Sequence, residues 1–211
     1  MATTKAMYNN FEGHASKIVN YGTTIHQNIV DAYKALAEVN NASGWQGELY
    51  DKLVKSFNDL TKTFNETIEG VQYKIPSTIR YAARSFSGFD TKEVNNSTAA
   101  ADSVSSISES GLPGLIYTPE NVDSLESKLL EYFEAAKDAV NSAKSVIDND
   151  LSADWSGPEY DSVSAEIDAY ATDTIKGLGE LVTQTTNTFK EIKSSYDTTS
   201  SNVKNSVQYT A

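Results

Sequence analysis

Tryptophan occurs only at Trp45 and Trp155 in this chain of 211 residues, and both lie in one phrase that the sequence uses twice. Trp45-Gln-Gly47-Glu-Leu-Tyr50-Asp51 aligns without a gap to Trp155-Ser-Gly157-Pro-Glu-Tyr160-Asp161, so Trp, Gly, Tyr and Asp recur at four shared offsets. A match of that kind at the only two tryptophans argues for one unit duplicated in tandem. Each phrase sits between two helical patterns. Ile18, Tyr21, Ile25, Ile29, Ala32, Leu36 and Val39 precede Trp45, and Leu49, Leu53, Phe57, Leu60, Phe64, Ile68, Val71, Ile75 and Ile79 follow it. Val122, Leu125, Leu129, Tyr132, Ala136, Val140, Ala143 and Ile147 precede Trp155, and a stripe from Tyr160 through Val163, Ile167, Tyr170, Leu178, Leu181, Phe189 and Ile192 to Tyr196 follows it. Steps of three and four dominate and alternation by two is absent, which is the signature of amphipathic helices. Thr174 and Thr185 interrupt the last stripe.

The expected fold is therefore all-α: two antiparallel helical hairpins, residues 1–86 and 119–211, closing on each other as an elongated four-helix bundle. An isolated hairpin leaves part of its apolar stripe in water, at a cost of roughly 25 cal/mol per Å². Two hairpins crossing near ~20° cover each other, so one chain becomes a pseudo-dimer. Breaker clusters at Asn40–Gly44 and Asp148–Ser152 fit the hairpin turns. Thr118-Pro119-Glu120 reads as the start of the third helix, with Thr as cap and Pro inside the first turn. Pro76 is expected to kink the second helix or end it near Lys74 or Ile75. Residues 87–118, rich in Ser, Thr, Asn and Gly, read as a connector, with a short helix expected over residues 99–108 because so long a structureless loop is unusual. The residues after about 198 are polar and expected to form a flexible tail.

The recurring residues have a structural role open to them. The Trp closes the end of a core, the Gly permits a backbone angle that other residues resist, and Asp51 and Asp161 fall in a helical first turn where the macrodipole favours an acid. Tyr50 and Tyr160 accompany them.

Charge limits the partners. The net charge is −12, divided as +1 over residues 1–86, −3 over the connector and −10 over residues 119–211. An acidic chain of this kind is a poor match for a nucleic-acid backbone. The uneven division favours pairing of the halves in cis, and an acidic surface also aids solubility. Cysteine is absent, which removes disulfides and thiolate chemistry. No apolar run reaches the ~20 residues of a membrane span, and no cleaved signal peptide is expected from the first residues. His14 and His26, both on the first helix, read as exposed surface residues. Asp148, Asp150 and Asp154 loosely resemble a calcium loop but lack its Gly and closing Glu. Phosphate loops, nucleophile elbows and dinucleotide glycines do not occur. No enzyme activity, cofactor or metal is expected.

Two Trp-x-Gly turns between long amphipathic helices resemble the WXG family of type VII secretion, the small acidic hairpins similar to early secreted antigens of mycobacteria and Firmicutes. The resemblance covers residues from about 14 to 86 and from about 119 to 196. It rests on Trp45 and Gly47 and on Trp155 and Gly157. It implies a non-enzymatic, folded export substrate or secretion component, cytoplasmic before export and secreted without a cleaved signal peptide. The implied partners are the secretion machinery, with its FtsK-like membrane ATPase, and a co-secreted effector. Family members are usually single hairpins that pair as dimers, so a fusion implies a monomeric pseudo-dimer. The family's Tyr-x-x-x-Asp/Glu signal is missing after the last helix; only Tyr8 to Glu12 has that spacing, and Tyr196, Asp197 and Tyr209 do not. In an antiparallel pseudo-dimer the region after Tyr196 falls beside Trp45, and Trp155 faces the end of helix two and the connector. Two further readings stay open: a chaperone-like or structural partner that binds a toxin through a helical face, and a pore-forming or adhesin-like rod.

Overall fold

A computed structural model describes residues 5–88 and 101–208. Among these, seven α-helical segments and four very short strands alternate: β1 (Lys5–Ala6), α1 (Phe11–Glu38), β2 (Trp45–Gly47), α2 (Glu48–Glu69), α3 (Ile75–Ser87), β3 (Leu115–Tyr117), α4 (Pro119–Val122), α5 (Leu125–Ser145), α6 (Ser152–Asp154), β4 (Trp155–Ser156) and α7 (Pro158–Gln208). The architecture is all-α, two antiparallel hairpins forming an elongated four-helix bundle within one chain. One long helix of the first hairpin is α1, and the other is α2 continued by α3. In the second hairpin α5 opposes α7.

The periodic positions explain the packing. Ile18, Ile25, Ile29, Ala32 and Leu36 on α1 are buried, as are Leu53, Phe57, Phe64, Ile68, Val71, Ile75 and Ile79 on the partner helix. The second hairpin buries Leu129, Ala136, Val140, Ile147, Val163, Ile167, Leu178, Leu181, Phe189 and Ile192. Around the bundle, α1 packs on α5 and α3, and α7 packs on α5 and α2. Lys17 on α1 bonds Asp150 beyond the end of α5 at 2.8 Å. Gln46 and Gly47 likewise pair with residues that precede α5. Thus α1 and α5 run antiparallel, and so do the two hairpins. With a helical rise of roughly 1.5 Å per residue, α1 is about 42 Å long and α7 about 76 Å.

The two threonines in the last stripe do not break the helix. Thr174 is fully buried and shares a 2.6 Å hydrogen bond with Thr67 on α2, so a polar pair crosses the core with its hydroxyls joined. Thr185 is buried as well, and its hydroxyl has no partner among the described residues. α7 continues through Gln208, well past the end of the apolar pattern, and from Ser194 to Lys204 no side chain is buried.

Four local expectations need correction. Pro76 neither simply kinks nor simply ends the second helix. Proline cannot donate to the carbonyl four residues back. The chain absorbs this in a π turn over Gly70–Lys74, where Ile75 N–H bonds Gly70 C=O, before helix resumes at Ile75. The Asp148–Ser152 cluster is not a loop. It lies in a second π turn, Val146–Leu151, and α6, because its polar side chains bond back into the helix: Lys144 reaches Asp148, and Ser152 Oγ donates to Asp148 C=O. Thr118 precedes the third helix in extended conformation but gives no side-chain cap; its N–H bonds Gly44 C=O instead, and the first turn, α4, is set off from α5. Finally, residues 101–108 are not helical, while residues 99 and 100 lie outside the described residues. This part of the connector is a strap laid along α1 and α2 (below).

Glu12 at the start of α1 receives three hydrogen bonds from the Arg80 guanidinium on α3, at 2.9 to 3.2 Å. Those bonds hold its carboxyl below the ordinary value of 4.5, against the opposing effect of burial. A lowered carboxyl stabilises the fold above the unfolded value and loses that contribution as pH falls through the folded one. The carboxylate is 43% exposed, so screening keeps the effect under about 1 kcal/mol. Glu12→Gln is expected to lower the urea midpoint at pH 7, with the gap to the parent shrinking as pH falls and the carboxyl becomes protonated; a gap that does not change with pH would contradict this.

Candidate functional site

The first turn leaves α1 at Val39 and folds back at once. Trp45 N–H bonds Val39 C=O at 2.7 Å, Ser43 N–H bonds Asn41 Oδ1 at 2.8 Å, and Gln46 Nε2 donates to Asn40 Oδ1 at 2.8 Å. The Trp45 indole is fully buried between Tyr50 and Phe189 of α7, with ring centroids 5.6 and 5.2 Å away and edge-on geometry. Burial pushes the Tyr50 hydroxyl up to about 12, with the Asp51 charge adding to it. The second turn is tighter, because helix runs up to Asp154. Trp155 is also fully buried, against Phe11 at 5.2 Å, Tyr160 at 6.2 Å and Phe86 near the end of α3 at 6.5 Å. Neither indole N–H has a hydrogen-bond partner among the described residues. Both therefore act as apolar plugs at opposite ends of the bundle.

Each Trp strand pairs with the segment that leads into the other hairpin. β2 pairs antiparallel with β3, Trp45 facing Tyr117 and Gly47 facing Leu115. β1 pairs antiparallel with β4, Ala6 facing Trp155 and Lys5 facing Ser156. The flanking bonds match too: Thr118 N–H to Gly44 C=O at 2.9 Å, and Met7 N–H to Asp154 C=O at 2.7 Å. The duplicated turns are thus related by an approximate two-fold, and the exchange of strands joins the hairpins at both ends.

The repeated glycines have one cause. At Gly47 φ is 116° and at Gly157 φ is 129°. Residues with a side chain avoid such angles. This angle turns a paired strand directly into the next helix. At Gly47 a Cβ would also lie 1.9 Å from Gly114 C=O, just before β3.

The repeated Asp is not equivalent in the two copies. Asp51 Oδ1 accepts bonds from Ser110 N–H and Ser110 Oγ, at 2.6 and 2.8 Å, and so anchors the strap. Asp161 is exposed in the first turn of α7, the helix-dipole position read from the sequence. The tyrosines differ less: Tyr50 is buried, and Tyr160 is partly buried with its hydroxyl donating to Ile147 C=O at 3.3 Å. α7 meets Trp45 through Phe189, ahead of Tyr196 rather than after it as expected, and Tyr196 stacks edge-on with Tyr117 at 5.6 Å. Trp155 meets the end of α3. The strap and β3, in contrast, serve the first turn.

The histidines are not free surface residues. His14 Nε2 meets Asp154 at 2.8 Å with both side chains nearly covered, and Asn10 Nδ2 bonds the same carboxylate at 2.9 Å. His26 meets Ser103 C=O at 3.2 Å. They tie α1 to the second turn and to the strap, and their different partners separate them. The three acids before the second turn also part: Asp148 goes to Lys144, Asp150 to Lys17 and Asp154 to His14. Among the described residues no three acids or histidines converge to hold a metal, and no helix is long and apolar enough to cross a membrane.

Beside Asp51, three residues that sequence reasoning passed over continue one face of α2 into the π turn that follows it. Asp51, Asn58, Asn65 and Gln72 follow one another at heptad spacing, and each bonds the strap. Their regular spacing was visible, but polar residues on a helix ordinarily signal solvent.

No protein-family model, curated protein or solved structure matches this chain.

Gly47→Ala is expected to cost about 2–3 kcal/mol through the forbidden angle and the collision with Gly114, and Gly157→Ala about 1–2 kcal/mol through the angle. Thermal unfolding of the two variants checks the order; a harmless Gly47→Ala would contradict the assigned backbone geometry.

Proposed function

We propose that this protein is a tandem WXG-type protein that passes through, or forms part of, a type VII secretion system as a folded, non-enzymatic helical bundle. The observation that carries the reading is the pair of Trp-x-Gly turns, each ending a helical hairpin, with both glycines at a strongly positive φ. What a dimer of single hairpins would assemble from two chains is here assembled from one. Both tryptophans are buried, so the turns act by shaping the end of the bundle rather than by offering an indole to a receptor.

The secretion machinery is the proposed partner, with its membrane ATPase reading the end of the bundle where the exposed stretch of α7 emerges beside the first turn. Tyr196 is 40% and Val203 58% exposed there, and Tyr196 stacks on Tyr117, which in turn pairs with Trp45. Nothing comparable accompanies Trp155 among the described residues, where its neighbours are Phe11, Phe86 and Tyr160. The two turns therefore have different roles in export.

The test is expression in a Gram-positive host with and without its FtsK-like ATPase. Export is expected only with the ATPase. A chain ending at Asp197 should keep the folded bundle, since it loses no buried described residue, yet stay in the cell. Trp45→Phe should reduce export more than Trp155→Phe at equal helicity by circular dichroism. Export independent of the ATPase would overturn the family reading; undiminished export of the shortened chain would overturn the role of α7.

A further inference from the structure

The strap is held in a way that the hairpin fold itself does not require. Residues 101–110 cross the groove between α1 and α2, antiparallel to α2. Asn65 donates from Nδ2 to Val104 C=O and accepts from Val104 N–H on Oδ1, at 3.0 and 2.7 Å. Asn58 does the same to Ile107, at 2.9 Å for both bonds. Gln72 accepts from Asp102 N–H at 2.8 Å, and Asp51 accepts from Ser110 N–H at 2.6 Å. His26 on α1 meets Ser103 C=O, and Asn40 in the turn after α1 donates from Nδ2 to Ser108 C=O.

Seven residues fall ~20° short of two helical turns, so a heptad-spaced row keeps to one face. The row from Asp51 to Gln72 rises about 32 Å. The strap from Asp102 to Ser110 can span at most about 29 Å. It is therefore drawn nearly straight, in the conformation of a bound peptide. A side-chain amide that grips both the N–H and the C=O of one residue reads backbone, not sequence. Selection comes from two side chains three apart: Val104 is 4% exposed and Ile107 packs on the core, while Ser103, Ser105, Ser106 and Ser108 face solvent.

The second hairpin is an internal control. At the corresponding offsets α7 carries Asp161, Asp168, Ile175 and Val182, with no amide among them. Asp168 pairs with Lys144, and Val182 is exposed. The hairpin closes without the ladder, so the ladder is an addition specific to a backbone ligand.

We propose that the α1/α2 groove is a binding site for extended polypeptide, filled in cis by the strap, whose ligand in trans is a Ser-rich extended segment of a partner protein with two apolar side chains three residues apart. The site joins main-chain hydrogen bonds for affinity to side-chain pockets for choice. It is independent of the export route. Tethering gives the strap an effective concentration in the mM range, so the partner segment gains access when the strap is released.

The experiment uses the full-length chain with residues 102–110 replaced by a Gly/Ser repeat, and a fluorescein-labelled peptide of residues 101–110 read by anisotropy. Saturable binding is expected. Asn58→Ala or Asn65→Ala should weaken it about tenfold, the effect of losing two neutral hydrogen bonds. N-methylation of the peptide at Val104 and Ile107 should weaken it at least as much, and the parent chain should bind at least about a hundredfold more weakly because its own strap competes. No binding, or binding indifferent to N-methylation, would overturn the proposal. Should the replaced chain lose its helicity, Val104→Ser with Ile107→Ser frees the strap in its place; collapse of both makes the strap part of the fold and equally overturns it. A dimer of the parent chain that free peptide dissolves would assign the groove to a second copy and so overturn the partner assignment.

Discussion

The bundle depends on a crossed pairing at its two ends, in which each tryptophan strand is completed by the residues leading into the opposite hairpin. A helical hairpin is weakest at its turn, where helix termini leave N–H and C=O groups unpaired and the apolar core opens to water. Here both deficits are met together. The indole closes the core, and two or three residues of borrowed strand satisfy the exposed backbone beside it. Neither hairpin holds all the parts of its own end. That shared dependence, more than the area of any single helix face, explains why two duplicated halves behave as one body, and why glycine at an unusual angle recurs at both turns.

Much of the architecture was readable from residue order because the information was periodic. Every apolar position from Ile18 to Leu36 and from Leu53 to Ile79 in the two stripes falls where a step of three or four puts it, buried or against the core. The duplicated phrase located the turns, and the antiparallel arrangement brought α7 to Trp45, at Phe189 rather than beyond Tyr196. What escaped was aperiodic. Two- and three-residue strands have no alternation to detect. The π turn before Pro76 answers one missing donor, and the turn after Ser145 rests on side chains that bond back into a segment whose composition suggests a loop. Asn58 and Asn65 look like ordinary solvent-facing residues until the strap lies on them. His14 and His26 were misjudged for the same reason: a polar residue on a helix is exposed only if nothing distant covers it.

Duplication has left the halves similar in frame and different in use. Asp51 fastens the strap and Asp161 faces water; the second turn is a helix to its last residue, whereas the first is a loop that receives β3. Charge follows the same division. The nearly neutral first half supplies Lys17 to an acid beside the second turn, and the second half keeps most of the excess negative charge. Divergence has thus gathered the last part of the strap, β3 and the exposed stretch of α7 at one end of an otherwise balanced molecule.

The pairing of β1 with β4 also sets an order of events during synthesis. Lys5 and Ala6 leave the ribosome long before their partners Ser156 and Trp155 are made. At translation speeds of roughly 5–20 residues per second, the intervening stretch of about 150 residues takes about 8–30 s. During this interval α1 can fold against α2 and α3, but Phe11 and Phe86 have no indole to cover them. The first hairpin therefore spends its early life with one end finished only on one side, and it becomes whole when the second turn arrives.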